Sequence, residues 1–398
     1  MARKRVIMQA LVAKQYKIAV LFGGASPEYE VSLKSAYSVI SALGHVSQCE
    51  AVLIGINRAG EWFCFDGSLD RILDDTWNNP QDCKRALISP DKQTKGVLII
   101  DRNELRALRI DAALPILHGK NGEDGTIQGL MELAGIPLIG SGSLASALCM
   151  DKDKAHKLAA AAGVCVPRSF VASAKTPLQA AHEQARHIGY PLFVKPVKAG
   201  SSFGISKVLK QSGLKQAIDL ALTFDDAVII EETIEGFEVG AAILGTGSHI
   251  LVGEVDEIEL AGSFFDYGEK YSPQTSVIHV PARITKHKAL EVKSAARAIY
   301  HALGCSGFAR IDLFITPSGT IVFNEANTIP GFTQHSRYPN MLKAAGLSFE
   351  QVINTMIEAV LPVEQTHHHQ QQQQQQGHWL MYKLNARCQQ NAHSHVAS

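Results

Sequence analysis

Two carboxylates, an asparagine and an arginine fall at matching positions on two apolar segments joined by a short turn. The segments are Ala309-Arg310-Ile311-Asp312-Leu313-Phe314-Ile315 and Ile321-Val322-Phe323-Asn324-Glu325-Ala326-Asn327. Pairing Thr316 with Ile321 across the turn sets Asp312 opposite Glu325 and Arg310 opposite Asn327. Side chains alternate along a strand, so the other face carries Ile311, Leu313, Ile315 and Val322 toward a core. Opposed carboxylates repel unless a cation lies between them. Oxygen donors without Cys or His select a hard ion, so Mg²⁺, or Mn²⁺ in its place, completed by water and nucleotide phosphate is the chemistry expected here. A solvated hairpin face with an Arg-Asp pair is the alternative.

Lys195-Pro196-Val197-Lys198-Ala199-Gly200-Ser201-Ser202-Phe203-Gly204 lies between two expected strands. Its glycines permit close backbone approach, its hydroxyls and amides can donate to phosphate oxygens, and its lysine can neutralise them. By itself it equally suits a plain Gly-Ser turn. Glu231-Glu232-Thr233-Ile234, with Glu238 beyond, can offer backbone groups to an adenine edge and a carboxylate to ribose, or serve as a solvated connector. His118-Gly119-Lys120-Asn121-Gly122-Glu123-Asp124-Gly125 precedes an expected helix whose start is an anion site, with His118 either functional or an ordinary loop residue. The G-x-x-x-x-G-K-[ST] phosphate loop and a G-x-G-x-x-G after the first strand are missing, which weakens P-loop and dinucleotide-fold readings.

These residues need elements to hold them. Tyr16 to Phe22 reads as a buried strand, Glu28 to Leu43 as a helix, and Ala51 to Ile56 and Asp111 to Leu117 as further strands of a parallel sheet; Trp62 to Arg109 reads as irregular hairpins and loops. Helix-forming sequence runs from Leu144 to Ala162. Strands follow at Pro191 to Lys195, Ile205 to Val208 and Val228 to Glu231, with a helix from Gly213 to Thr223. Then come strands at Glu238 to Leu244 and Ile250 to Val255, a long loop from Ala261 to Ser276, a helix at Thr285 to Leu303 and the hairpin.

The 398 residues suit two or three packed domains. With 38 basic and 38 acidic side chains the chain offers no basic field for nucleic acid or an anionic membrane. No apolar run reaches the roughly 20 residues that span a bilayer. The seven scattered cysteines form no C-x-x-C pair and fit a reducing cytoplasm. After Pro362 come His367-His368-His369, seven glutamines and a polar tail, a composition expected to stay disordered.

Taken in order, several segments resemble the D-alanine-D-alanine ligases of the ATP-grasp superfamily and their vancomycin-resistance relatives. They are Phe22-Gly23-Gly24-x-Ser26-x-Glu28-x-Glu30-Val31-Ser32, the His118 to Gly125 run, Met150-Asp151-Lys152, the Lys195 to Gly204 loop, Glu269-Lys270-Tyr271 and Asn324 to Thr333. The resemblance spans Tyr16 to Leu361. It implies a three-domain ATP-grasp fold, α/β and α+β. An extension (1–15) would precede an N-terminal parallel-sheet substrate domain (16–141), a central subdomain (142–233), a C-terminal catalytic domain (234–361) and the tail (362–398).

It also implies that ATP phosphorylates the carboxylate of a first D-alanine and that the amine of a second amino acid attacks the acyl phosphate. The expected product is D-alanyl-D-alanine for peptidoglycan precursors. D-serine as acceptor is the alternative, suggested by His118 to Asp124, Phe264 to Tyr271 and His335 to Met341; Tyr271 speaks against ester formation. A nucleotide-binding regulator without catalysis is a third reading. By the resemblance Asp312, Glu325 and Asn327 hold Mg²⁺, two ions per site. Lys152, Lys195, Lys270 and Ser202 contact ATP phosphates, and Glu231, Glu232, Ile234 and Glu238 the rest of the nucleotide. Arg310 and amides near Gly331 stabilise the tetrahedral intermediate. Glu28 binds the first ammonium, linked through Ser201 and Tyr271 to a closing loop. Val31, Ser32, His118, Ser336 and Arg337 line the amino acid subsites. A homodimer in the cytoplasm is expected.

Overall fold

The protein is described by a computed structural model covering residues 15–361 apart from 47, 103, 201–202, 248 and 261–275. β1 (Tyr16–Gly23) is apolar along almost its whole length and buried on both faces, as a central strand of a parallel sheet must be. It leads into α1 (Tyr29–Leu43), β2 (Cys49–Ile56), β3 (Trp62–Phe65), the single turn α2 (Asp70–Leu73), β4 (Cys83–Ile88), β5 (Gly96–Asp101), β6 (Glu104–Arg109) and β7 (Ala112–Pro115). The sheet order is β6-β5-β4-β3-β2-β1-β7, with β2 and β7 parallel to β1. The expected parallel strands are present. The segment from Trp62 to Arg109, read as irregular, instead supplies four antiparallel strands that extend the sheet. Its inward residues are few, among them Phe65, Ala86, Ile88, Val97 and Ile99, and β6 is an exposed polar edge. The period-2 signal is correspondingly weak.

α3 (Thr126–Ala134) is followed by α4 (Ser143–Met150) and α5 (Lys152–Ala161). The helix-forming sequence from Leu144 to Ala162 folds as these two helices, divided at Asp151, which is extended and accepts a hydrogen bond from the Lys154 amide as an N-cap. The break lets Lys152 N donate to Val197 O (3.2 Å), joining the start of α5 to the lysine-glycine loop.

Next come β8 (Ser169–Ser173), α6 (Leu178–Ile188), β9 (Leu192–Pro196), β10 (Ser206–Val208), α7 (Leu214–Ala221) and β11 (Ala227–Glu232), whose strands form an antiparallel sheet in the order β10-β9-β11-β8. Its core packs Ala181, Ala185, Leu214 and Ile218 against Leu192, Val194, Val228 and Ile230. The remaining elements are β12 (Phe237–Thr246), β13 (His249–Leu260), β14 (Ser276–His279), α8 (Lys286–Ala302), β15 (Gly307–Ile315), β16 (Ile321–Asn327), α9 (Arg337–Ala344) and α10 (Phe349–Glu358). A third sheet runs β14-β13-β12-β15-β16, with Val292, Ala296, Ile299 and Tyr300 of α8 packed on Ile311, Leu313 and Ile315. The long loop read from Ala261 to Ser276 lies outside the described residues, except for Ser276, which opens β14. Among the described residues no helix is long and apolar enough to cross a membrane.

Candidate active site

β15 and β16 pair Arg310 with Asn327 and Asp312 with Glu325, as the alternation requires. The register then shifts, so that Leu313 faces Phe323 and Ile315, rather than Thr316, faces Ile321. The expected turn register is therefore off by one. A bulge at Asn324 restores the pairs that matter, because an extra residue on one strand re-aims everything beyond it. The bulge also decides the core. Phe323, not Val322, joins Ile311, Leu313 and Ile315 in the apolar cluster.

The Asp312 side chain is 1% exposed and gripped from three directions. Arg310 donates through Nε (2.8 Å) and Nη2 (2.7 Å), Asn327 Nδ2 donates at 3.1 Å, and Arg337 Nη2 lies 3.4 Å away. Burial alone would raise its pKa, but the two guanidiniums outweigh burial and hold the carboxyl below its ordinary value. Two carboxylates and an amide thus present oxygen donors suited to a hard divalent ion, with a permanently charged arginine alongside.

Arg337 is itself clamped, donating to Asp256 through Nε (2.7 Å) and Nη2 (2.9 Å) and to Glu238 through Nη1 (3.0 Å). Gly240 on β12 sits in register with both Asp312 and Asp256. A Cβ there would lie 2.5 Å from Arg337 Nη2 and 2.6 Å from Asp256 Oδ1. Gly240→Ala should therefore displace the clamp and lower kcat by about 100-fold, since small misplacements at a reacting centre are amplified. Steady-state kinetics on protein with a wild-type circular dichroism spectrum would check this, and an unchanged kcat would disprove it.

Beside the hairpin lies a cavity of about 590 Å³, large enough for a nucleotide. Its walls include Lys152, Lys195, Glu231, Glu232, Ile234, Glu238 and Glu325, which brings the expected ATP contacts on described residues together. Lys195 is ion-paired with Glu231, Lys152 Nζ donates to Ala199 O (2.6 Å), and Glu232 accepts from Arg168 Nε (2.8 Å). Phe193, Lys207, Glu257 and Arg283 are also in the lining. Ser201, Ser202, Lys270 and Tyr271 lie outside the described residues.

Glu28 is buried at the start of α1, and Cβ atoms on Gly119 and Gly200 would come within 2.3 and 3.0 Å of its Oε2. The carboxylate thus rests against both the His118 loop and the lysine-glycine loop. Val31 is half-buried on α1. Ser32 uses its hydroxyl internally, accepting from Gly23 N (2.8 Å) and donating to Ile116 O. Ser336 Oγ accepts from Thr333 N (3.1 Å) and lies where a Gly331 side chain would project.

His118 is 5% exposed, and its pKa is pushed down to about 4, chiefly by burial. A depressed histidine pKa means that the unfolded chain binds the extra proton first. Stability is therefore complete above the ordinary value of 6.5 and falls as pH drops from there toward 4. Between pH 7 and 5 this one group should cost about 2 kcal/mol, read as a denaturant-midpoint shift that His118→Gln lacks. An identical acid dependence in the variant would remove His118 as the source.

Asp256, Lys207, Arg283 and Gly240 escaped the sequence reading. The strand was ended at Val255, one residue before Asp256, and a mid-strand glycine carries no chemistry of its own. The signal that could have found Asp256 is the alternation Glu254, Asp256, Ile258 continuing through the strand.

The profile described as D-ala D-ala ligase N-terminus matches residues 17–141, and that described as D-ala D-ala ligase C-terminus matches residues 158–358. The vancomycin/teicoplanin A-type resistance protein VanA of Enterococcus faecium is 40% identical over 87% of this chain and 98% of its own length. A D-alanine–D-alanine ligase of Caldicellulosiruptor bescii is 38% identical over 87% of this chain and 95% of its own. The crystal structure of the VanG D-Ala:D-Ser ligase from Enterococcus faecalis is 51% identical, with a TM-score of 0.82 over 87% of this chain and 100% of that one. With both profiles on one chain and the fold shared, the protein is a ligase of ATP-grasp architecture and belongs to the D-alanine–D-alanine ligase family.

Proposed function

We propose that the protein joins D-alanine to a second D-amino acid with cleavage of ATP to ADP and phosphate, supplying a dipeptide for peptidoglycan precursors. The observation that carries this reading is the pairing of Asp312 with Glu325 and of Arg310 with Asn327, with Glu325 itself on the wall of a nucleotide-sized cavity. Glu28 receives the ammonium of the first D-alanine. The carboxylate oxygen of this D-alanine attacks the γ-phosphorus, the bond to the β-phosphate oxygen breaks, and ADP leaves. Lys152 and Lys195, with Lys270 and Ser202, hold the phosphates in line. Asp312, Glu325 and Asn327 would hold two divalent ions, whose charge would offset that of the phosphates when bound. The acceptor amine then attacks the acyl carbon, Arg310 and the amide near Gly331 hold the oxyanion, and phosphate departs with its bonding pair and takes up the proton that the amine loses. Ser201 and Tyr271 belong to the closing loop that keeps water from the acyl phosphate. The free cysteines support a reducing, cytoplasmic setting, and a homodimer accords with the family.

The intact arginine beside the metal donors argues against a catalytically silent regulator. For the acceptor, the sequence expectation is D-alanine, yet a specific observation favours D-serine. Identity to the VanG D-Ala:D-Ser ligase is 51%, against 38% to the D-alanine–D-alanine ligase above. Equimolar D-alanine and D-serine with ATP and Mg²⁺, resolved by mass spectrometry, should give mainly D-alanyl-D-serine. Predominant D-alanyl-D-alanine would return the acceptor to D-alanine.

A further inference from the structure

Ser35 is fully buried on α1, yet its hydroxyl serves the far end of the chain. Phe332 N donates to Ser35 Oγ at 3.2 Å, and the same oxygen lies 3.4 Å from His118 Nε2. The His118 imidazole also hydrogen-bonds the Ile329 backbone in a way that favours the protonated ring, so the Ile329 carbonyl is the acceptor. One proton arrangement satisfies every partner. Nδ1–H donates to the Ile329 carbonyl, Nε2 accepts the Ser35 hydroxyl proton, and Ser35 Oγ accepts from Phe332 N–H.

Glu123 adds to the grip, accepting Gly119 N (2.8 Å) and the Ile329 backbone amide. On the opposite side the Phe332 ring is packed edge-on to Phe308 and tilted against Tyr338, each at 5.2 Å between centroids. The backbone from Ile329 to Phe332 is thus fixed by aromatic packing on one side and by Ser35 and His118 on the other. Gly331 lies inside that span.

We propose that Ser35 is a positioning residue for the ligation step: its hydroxyl, oriented by neutral His118, sets the Ile329 to Phe332 backbone so that the amide near Gly331 meets the developing oxyanion. This rests on the function proposed above, and it reassigns His118 from lining a subsite to orienting a loop.

The test measures wild type, Ser35→Ala, His118→Gln and the double variant side by side for ADP release and dipeptide yield. Ser35→Ala should lower kcat on the order of 10- to 100-fold while KM for ATP stays within about twofold. The double variant should be no slower than the slower single variant, because both substitutions break one linkage. A Ser35→Ala kcat equal to wild type, or additive losses in the double variant, would overturn the proposal. Independently of whether the variants fold, nitrogen NMR of wild-type His118 at neutral pH should show the neutral Nδ1–H tautomer; an Nε2–H tautomer would overturn it too. A wild type that makes no dipeptide would instead sink the functional reading and leave the hydrogen-bond assignment standing.

Discussion

Asp312→Asn is expected to lower kcat on the order of 1,000-fold, the largest effect of any single substitution considered for this site. The change is nearly isosteric, so the loss reports charge. Asp312 is buried to 1% exposure between Arg310 and Arg337, and it pairs across the hairpin with Glu325, which lines the nucleotide-sized cavity. Removing its charge weakens the metal site. It also leaves two buried guanidiniums with less compensation, a penalty that should lower stability by about 3 kcal/mol. Turnover at saturating Mg²⁺ and the denaturant midpoint measure the two effects separately. Turnover near that of wild type would refute the assigned role.

Arg310→Lys should cost about 100-fold in kcat with KM for ATP nearly unchanged. The arginine makes a fork to Asp312 through Nε and Nη2, and its side chain is 11% exposed. Lysine retains the charge but not the planar fork, so it cannot hold Asp312 with two bonds and face the reacting carbon in the same geometry. Because the oxyanion exists only after the acyl phosphate has formed, the loss should fall on the ligation step. Isotope exchange between ATP and ADP, or trapping of the acyl phosphate with hydroxylamine, would show the first step preserved. A parallel loss of both steps would place Arg310 in nucleotide binding instead.

What the sequence made legible was alternation. From Ala309 to Leu313 and again from Glu325 to Asn327 polar and apolar residues alternate, enough to set Asp312 against Glu325 without coordinates. The turn register was misread because the bulge falls on Asn324, a residue that carries no signature for it. The two errors, a turn shifted by one and a bulge unseen, cancel at the site and persist in the core, where Phe323 replaces Val322. Asp151 was readable as a cap only once the break in the helix was known, since alanine and leucine run through both halves.

Other parts depend on approach between distant segments. Ser35 and Phe332 are joined by one hydrogen bond across the fold, and neither residue alone hints at the other. Gly240 matters only because Arg337, Asp256 and Asp312 converge on the space its missing side chain leaves. The four strands from Trp62 to Arg109 show the same limit for the fold, because an edge strand such as β6 mixes polar and apolar residues on both faces and periodicity cannot reveal it.

The most direct test combines purified full-length protein, ATP, Mg²⁺ and D-alanine, with D-serine present or withheld, and follows ADP and dipeptide together. One ADP should form per dipeptide, and ADP release should cease when the D-amino acids are omitted. ADP without dipeptide in the complete mixture, or a rate indifferent to D-alanine, would mean that the Asp312, Glu325, Asn327 and Arg310 face does not perform ligation.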